Sequence, residues 1–202
     1  MYAQYIKDMA LRIQNSVCNG NFINDTLSYK SHMEKHIQDK KQVDVLDRVL
    51  KDNGRIDRHS RSIKDNKDVN SGFYSLDEAC QFIEDAVMFK SFEIANWVDD
   101  AKNHEKMAFE VYFSPDDDYP PVGYGYALDY NNNGISEYET NQIRIVLQKD
   151  EDFPLGFSLI TAYPDITNDK NRYKTGADIT KLVRQTETFK MASPVAKAYM
   201  LY

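Results

Sequence analysis

The hydrophobic period changes once along this chain, between residues 101 and 107. Upstream, apolar residues recur at helical spacing; downstream, they alternate. Helices first and strands second predict an α+β domain rather than repeated α/β units. In residues 2–17, Tyr5, Ile6, Met9, Ile13 and Val17 lie along one helical stripe, which Asn19-Gly20-Asn21 stops. A break to about Ser28 follows, then helical patterns at 29–38 and 42–51, the second ended by Asn53-Gly54. Residues 54–70 are charged and poor in apolar side chains and read as a loop with room for a short strand. Ser75-Leu76-Asp77-Glu78 is a capping box. Behind it Ala79, Phe82, Ile83, Ala86, Phe89, Phe92, Ile94 and Trp97 predict one long helix over 76–101.

The second half reads differently. MAFEVYFS (107–114), GYGYALDY (123–130), QIRIVLQ (142–148) and GFSLITAY (156–163) favour strand. Turn-rich segments at Asp116–Pro121, Asn131–Gly134 and Asp150–Pro154 separate them, which suits an antiparallel meander. Residues 165–202 read as a polar bridge followed by a helical tail at 177–185 and 194–201.

Apolar residues make up 42 % of the 202, enough for a packed core and too many for a disordered chain. The 14 tyrosines supply apolar bulk with a hydrogen-bonding tip, which suits broad half-exposed sheets and interfaces. A net charge of −7 excludes nucleic-acid binding through overall charge. The charge is uneven: residues 28–67 are rich in Lys, Arg and His, and 108–139 are acidic around Asp116-Asp117-Asp118. A local basic surface therefore stays available. Two cysteines, Cys18 and Cys80, make no disulfide framework, and both read as free. No run of 18 apolar residues marks a membrane-spanning segment, and no secretory leader of the usual kind is present.

Several stretches carry chemistry. In FSLITAYPDI, strand alternation puts Phe157, Leu159, Thr161 and Tyr163 on one face. That face begins apolar and ends with two hydroxyls about 6.6 Å apart along the strand. An ordinary strand end also explains them, because polarity rises there. In HMEKH, His32 and His36 stand at i and i+4, about 40° apart around a helix. The pair could bind zinc, yet Met33 stands where a metalloprotease needs Glu, and sequence places no third ligand. A solvated basic helix face, or a single histidine acting as general acid or base, explains the same residues. DYNNNGISEYET begins like a calcium loop, with Asp129, Asn131, Asn133 and Gly134, but its twelfth position is Thr140. A turn between strands is the better reading. His59 and His104 sit in charged, loop-like contexts and read as solvated.

Taken in order, these segments resemble one family. Lys35-His36 in HMEKHIQ is followed by Arg48 in VLDRVL, then by Ser71-Gly72-Phe73 at a helix start, then by strands, and last by Thr161-Ala162-Tyr163-Pro164. This order is similar to the ribonuclease A-like toxin domain of bacterial contact-dependent growth inhibition proteins and other polymorphic toxins. It spans about residues 30–165. The gap from His36 to Arg48 is one residue longer than usual, and Gly72 stands where a second Ser is common. The resemblance implies a kidney-shaped α+β fold like that of vertebrate ribonuclease A, without its disulfides. It divides the chain into an N-terminal helical segment (1–28), the ribonuclease-like domain (29–165) and a C-terminal tail (166–202). It implies metal-independent cleavage of RNA, tRNA being a common target of such toxins, with no cofactor. His36, Arg48, Thr161 and Tyr163 would then be catalytic. Lys35, Ser71 and His32 would bind or steer substrate, and either histidine could be the one that acts. The partner implied is a cognate immunity protein, and the setting is delivery from a producing cell into a target-cell cytoplasm. Two rivals stand beside this reading: a non-catalytic interaction domain on the same fold, and a metal-dependent hydrolase built on His32 and His36.

Overall fold

The computed structural model describes residues 2–28, 41–54, 69–129, 134–167 and 170–201. The expected helix at 29–38, with its two histidines, and the charged segment 55–68 lie outside the described residues. The chain forms two units: Met1–Gln38 with Ser75–Tyr112 and Ile143–Tyr163, and Asp39–Tyr74 with Phe113–Gln142 and Pro164–Tyr202. Each holds its own sheet, so the expected single meander is in fact two sheets.

The first unit begins with α1 (Tyr2–Cys18). Its buried stripe is Ile6, Met9, Ala10, Ile13 and Val17. Tyr5 is 51 % exposed, because it lies about 100° around the helix from the stripe's centre. The expected break before Ser28 is instead a second helix, α2 (Asn21–Ser28). Its Asn, Asp and Thr residues look like loop, but it buries Phe22 and Ile23, and Phe22 packs 6.0 Å from Phe157. Tertiary burial overrides weak local propensity there.

The capped helix, α4 (Leu76–Phe89), starts where the capping box predicts, with the Glu78 backbone N–H donating to the Ser75 hydroxyl. The Glu78 carboxylate accepts from that same hydroxyl, 3.0 Å away. The run does not continue unbroken to residue 101. It ends at Lys90, and α5 (Ser91–Asp100) restarts in a new register that buries Ser91, Ile94, Ala95 and Val98. Phe89 and Phe92, expected on the buried stripe, are 58 % and 52 % exposed, because each lies about 90–110° around its own helix from the centre of the buried residues. Gln14 on α1 donates to the Ser91 hydroxyl at 2.8 Å and ties these helices together. The sheet of this unit has the order β2-β5-β6, from β2 (Lys106–Tyr112), β5 (Gln142–Lys149) and β6 (Phe157–Pro164). Ile143, Ile145, Leu147, Phe157 and Leu159 fill its core. Lys149 ends β5 by donating through Nζ to the Val98 carbonyl at 2.9 Å, a cation placed at the C-terminal end of α5.

The second unit is built on α3 (Gln42–Gly54) and on the antiparallel order β1-β3-β4-β7. These strands are β1 (Val69–Gly72), β3 (Gly123–Asp129), β4 (Gly134–Thr140) and β7 (Arg172–Lys174). Sequence periodicity missed β4, because Ser136, Glu137 and Glu139 are polar and the Asn-rich run before it reads as turn. Pairing with β3 supplies what the pattern lacks, with Tyr124 opposite Glu139 and Tyr126 opposite Glu137. Val45, Leu46, Val49 and Leu50 of α3 pack with Tyr124, Tyr126 and Val183 into one apolar cluster. The C-terminal helices α6 (Thr180–Gln185), α7 (Glu187–Met191) and α8 (Pro194–Leu201) add Leu182, Phe189, Met200 and Leu201 to its edge. Buried Asp47 on α3 accepts from the Thr188 backbone N–H at 2.7 Å, fastening the tail helices to α3.

On its opposite face β3 itself presents only Gly123, Gly125 and Ala127 before Asp129, and Tyr138 of β4 packs beside them with Ile166. At Gly123 a Cβ would overlap Pro164 and approach the Gly72 carbonyl oxygen to 2.5 Å. Glycine at this position lets strand and loop close on each other. Below them lies a buried polar knot. Thr140 donates to the Asp165 carbonyl, Gln142 to the Asp165 carboxylate, and Asn171 to Gln142, so the loop after Pro164 is held by satisfied hydrogen bonds.

Candidate active site

Arg48 follows from the pattern of α3. Val45, Leu46, Val49 and Leu50 take the buried face, which turns residue 48 outward, and the Arg48 side chain is exposed. Asp44 lies one turn earlier on the same helix. Asn70 of β1 donates to the Val45 carbonyl at 3.0 Å and holds the helix against the strand. Ser71 is the neighbouring strand residue. It lies within β1 rather than starting a helix, because the cap that begins α4 is Ser75. Its hydroxyl donates to the Pro164 carbonyl at 2.6 Å, so it anchors backbone in this structure.

Thr161 and Tyr163 stand on β6 in the other unit. Phe157 and Leu159 are buried, Thr161 and Tyr163 are half-buried, and Ala162 and Pro164 are buried again. Burial thus changes face between Leu159 and Ala162. The face that is apolar at the start of the strand ends with two hydroxyls at a partly open surface, as alternation predicts. His32, Lys35 and His36 lie outside the described residues. Among the described residues no group of three or more His, Cys, Asp or Glu is placed to hold a metal ion. His104 is exposed, with Gln148 3.4 Å from its Nδ1.

One constellation escaped the sequence reading. Tyr74 donates to the Glu139 carboxylate at 2.6 Å, and Tyr126 donates to Glu137 at 2.8 Å. Tyr124 lies between them, 5.3 Å from the Tyr74 ring and 6.1 Å from the Tyr126 ring. The signal was present as Tyr-Gly-Tyr and Glu-Tyr-Glu, each with a two-residue period. Recognising it needs the β3–β4 register. Burial, helped by the charges of Glu137 and Asp44, pushes the Tyr124 hydroxyl up to about 12. Tyr74 and Tyr126 are raised further, first by burial and then by donation to Glu139 and Glu137.

A pH prediction follows with a definite sign. The unfolded chain releases tyrosine protons near pH 10, and the folded chain holds these three above that. Their stabilisation is therefore complete below about pH 10 and is lost as pH rises toward 12. In an alkaline titration, loss of ellipticity should coincide with a late step in tyrosinate absorbance between these values. Release of all tyrosine protons near pH 10 with the fold intact would contradict the cluster.

Helices, two antiparallel sheets and unpaired Cys18 and Cys80 define an α+β domain that folds without disulfides. No helix among the described residues is long and apolar enough to cross a membrane. The chain belongs to the bacterial CdiA-CT RNAse A domain family, whose model matches residues 31–164. It is thereby a ribonuclease A-type toxin domain of the contact-dependent inhibition class. Among solved structures, the crystal structure of a CdiA-CT/CdiI complex from Y. kristensenii 33638 is similar at 18 % identity and a TM-score of 0.47. That match covers 66 % of this chain and 97 % of that one. No curated protein matches the chain.

Proposed function

We propose that the chain is a metal-independent endoribonuclease that cuts RNA by attack of a 2′-hydroxyl on its own 3′-phosphodiester. The observation that carries this reading is the extent of the family match. Residues 31–164 take in His32, Lys35, His36, Arg48, Ser71, Thr161 and Tyr163, and the match ends on the proline after Tyr163. In the reaction, a base removes the 2′-hydroxyl proton as O2′ bonds to phosphorus. The bond from phosphorus to O5′ breaks, and an acid returns a proton to O5′. The products are a 2′,3′-cyclic phosphate and a 5′-hydroxyl. His36 supplies the acid or base role, with His32 as the alternative histidine. Arg48 presents a fixed pair of N–H donors to the non-bridging phosphoryl oxygens and keeps its charge at any working pH. Thr161 donates to the same oxygens. Tyr163 donates there or stacks on a base. Lys35 steers the backbone of the RNA, and Ser71 supports the site.

An active ribonuclease of this kind would damage the cell that makes it. A cognate immunity protein that covers the cleft is therefore part of the reading, as is action in the cytoplasm of a target cell, with tRNA among the substrates. The test is the chemistry of the cut ends. Fragments should carry 2′,3′-cyclic phosphate and 5′-hydroxyl ends. Fragments with 3′-hydroxyl and 5′-phosphate ends would overturn the proposal, because attack by the 2′-hydroxyl cannot produce them.

A further inference from the structure

We propose that Tyr74 and Glu139 form a nucleobase subsite that selects guanine; its use in cleavage rests on the ribonuclease reading above, whereas its binding test does not. Tyr74 is 43 % exposed, yet it is fixed. Its hydroxyl is held by Glu139 Oε1 at 2.6 Å, and its ring lies tilted by 45° against the buried Tyr124 ring. A half-exposed aromatic ring anchored at its tip and on one side offers its remaining surface for stacking without further loss of side-chain freedom.

The two carboxylates beside it differ in a way that matters. Glu137 has both oxygens engaged, Oε2 by Tyr126 and Oε1 by the Thr175 hydroxyl at 3.1 Å. Among the described residues, Glu139 accepts through Oε1 from Tyr74, and no donor reaches Oε2. Each carboxylate oxygen has two lone-pair sites, so Glu139 can accept more N–H groups while keeping Tyr74. Glu137, Glu139 and the nearby Asp44 charge also make this a poor place for a phosphate. The group that fits is uncharged, flat and rich in N–H donors, which describes a base edge. Of the four bases, guanine alone presents two adjacent N–H donors, N1–H and the 2-amino group. They match the two oxygens of one carboxylate. Adenine and cytosine offer one amino group beside an acceptor, and uracil one N–H between two acceptors. The subsite lies on the sheet face that α3, the helix carrying Arg48, covers in the same unit.

The experiment is calorimetric titration of the full chain with the four nucleoside 3′-monophosphates, beside RNA cleavage mapped at every dinucleotide step. Guanosine 3′-monophosphate should bind at least tenfold more tightly than the other three. Tyr74→Ala should weaken it about tenfold, the range expected for one stacked ring. Tyr74→Phe, which keeps the ring, should lose less. Glu139→Gln should remove the preference for guanine with an unchanged Tm, because a carboxamide replaces one acceptor with a donor. Equal binding of the four nucleotides, or a guanine preference that survives Glu139→Gln, would overturn the subsite. Guanine-selective binding without RNA cleavage would uphold the subsite and remove the ribonuclease reading. Cleavage without selective binding would do the reverse.

Discussion

Arg48→Ala is expected to lower the rate of RNA cleavage by about 10²–10³-fold, the usual cost of removing one donor aimed at developing negative charge. The substitution is clean because Arg48 is exposed on α3, while Val45, Leu46, Val49 and Leu50 carry the packing of that helix. Thermal unfolding should stay close to wild type. Arg48→Lys should fall between the two, because an ammonium keeps the charge but loses the paired donors that match a phosphoryl group. His36→Ala should cost about 10²–10⁴-fold for loss of a proton-transfer group. If Arg48 and His36 act in one transition state, the double variant should be little worse than the poorer single one. Single-turnover cleavage of an end-labelled RNA reads all of these. A wild-type rate in Arg48→Ala would remove this arginine from the site, whereas no cleavage by the wild-type chain would favour the non-catalytic interaction domain.

Gly123→Ala is expected to destabilise the second unit by about 3 kcal/mol, the upper end of the usual cost of overpacking. The added methyl would meet the Pro164 ring and, at 2.5 Å, the Gly72 carbonyl oxygen. That oxygen belongs to β1, which pairs with β3 through four residues, so it cannot retreat without breaking the ladder. At Gly72 the same change meets only side-chain atoms, Tyr124 at 3.2 Å and Val45 at 3.4 Å. Gly72→Ala should therefore cost below about 1 kcal/mol, since those side chains can yield by a few tenths of an ångström. Denaturant unfolding of the two variants side by side makes the comparison. Equal stabilities would contradict the close approach of β3 to Pro164 and β1.

The periods that drive burial were legible in the sequence. α1, the start of α4, β5 and β6 were visible because each buries a regular stripe of large apolar residues. The break at Lys90 was not, since a one-residue change of register leaves an almost continuous apolar run on paper. β4 was missed because its side chains are polar and its burial comes from the strands beside it. The Tyr–Glu ladder failed to show for the same reason, being a cross-strand pattern in which neither strand carries the signal alone. Division into two sheets was equally hidden, because alternation reports a strand and not its partner. Of the site, Thr161 with Tyr163 was legible as the polar end of an apolar face, whereas Arg48 was singled out by the order of motifs alone. Their assignment to RNA chemistry came from the order of motifs, which composition and periodicity do not encode.

The most direct measurement is digestion of total RNA by the purified chain in excess EDTA, beside the His36→Ala variant. Cleavage that survives the chelator and disappears in the variant is the expected result, and it also separates this chemistry from a hydrolase that uses a metal on His32 and His36. Cleavage that stops in EDTA and returns with added divalent metal would contradict the account.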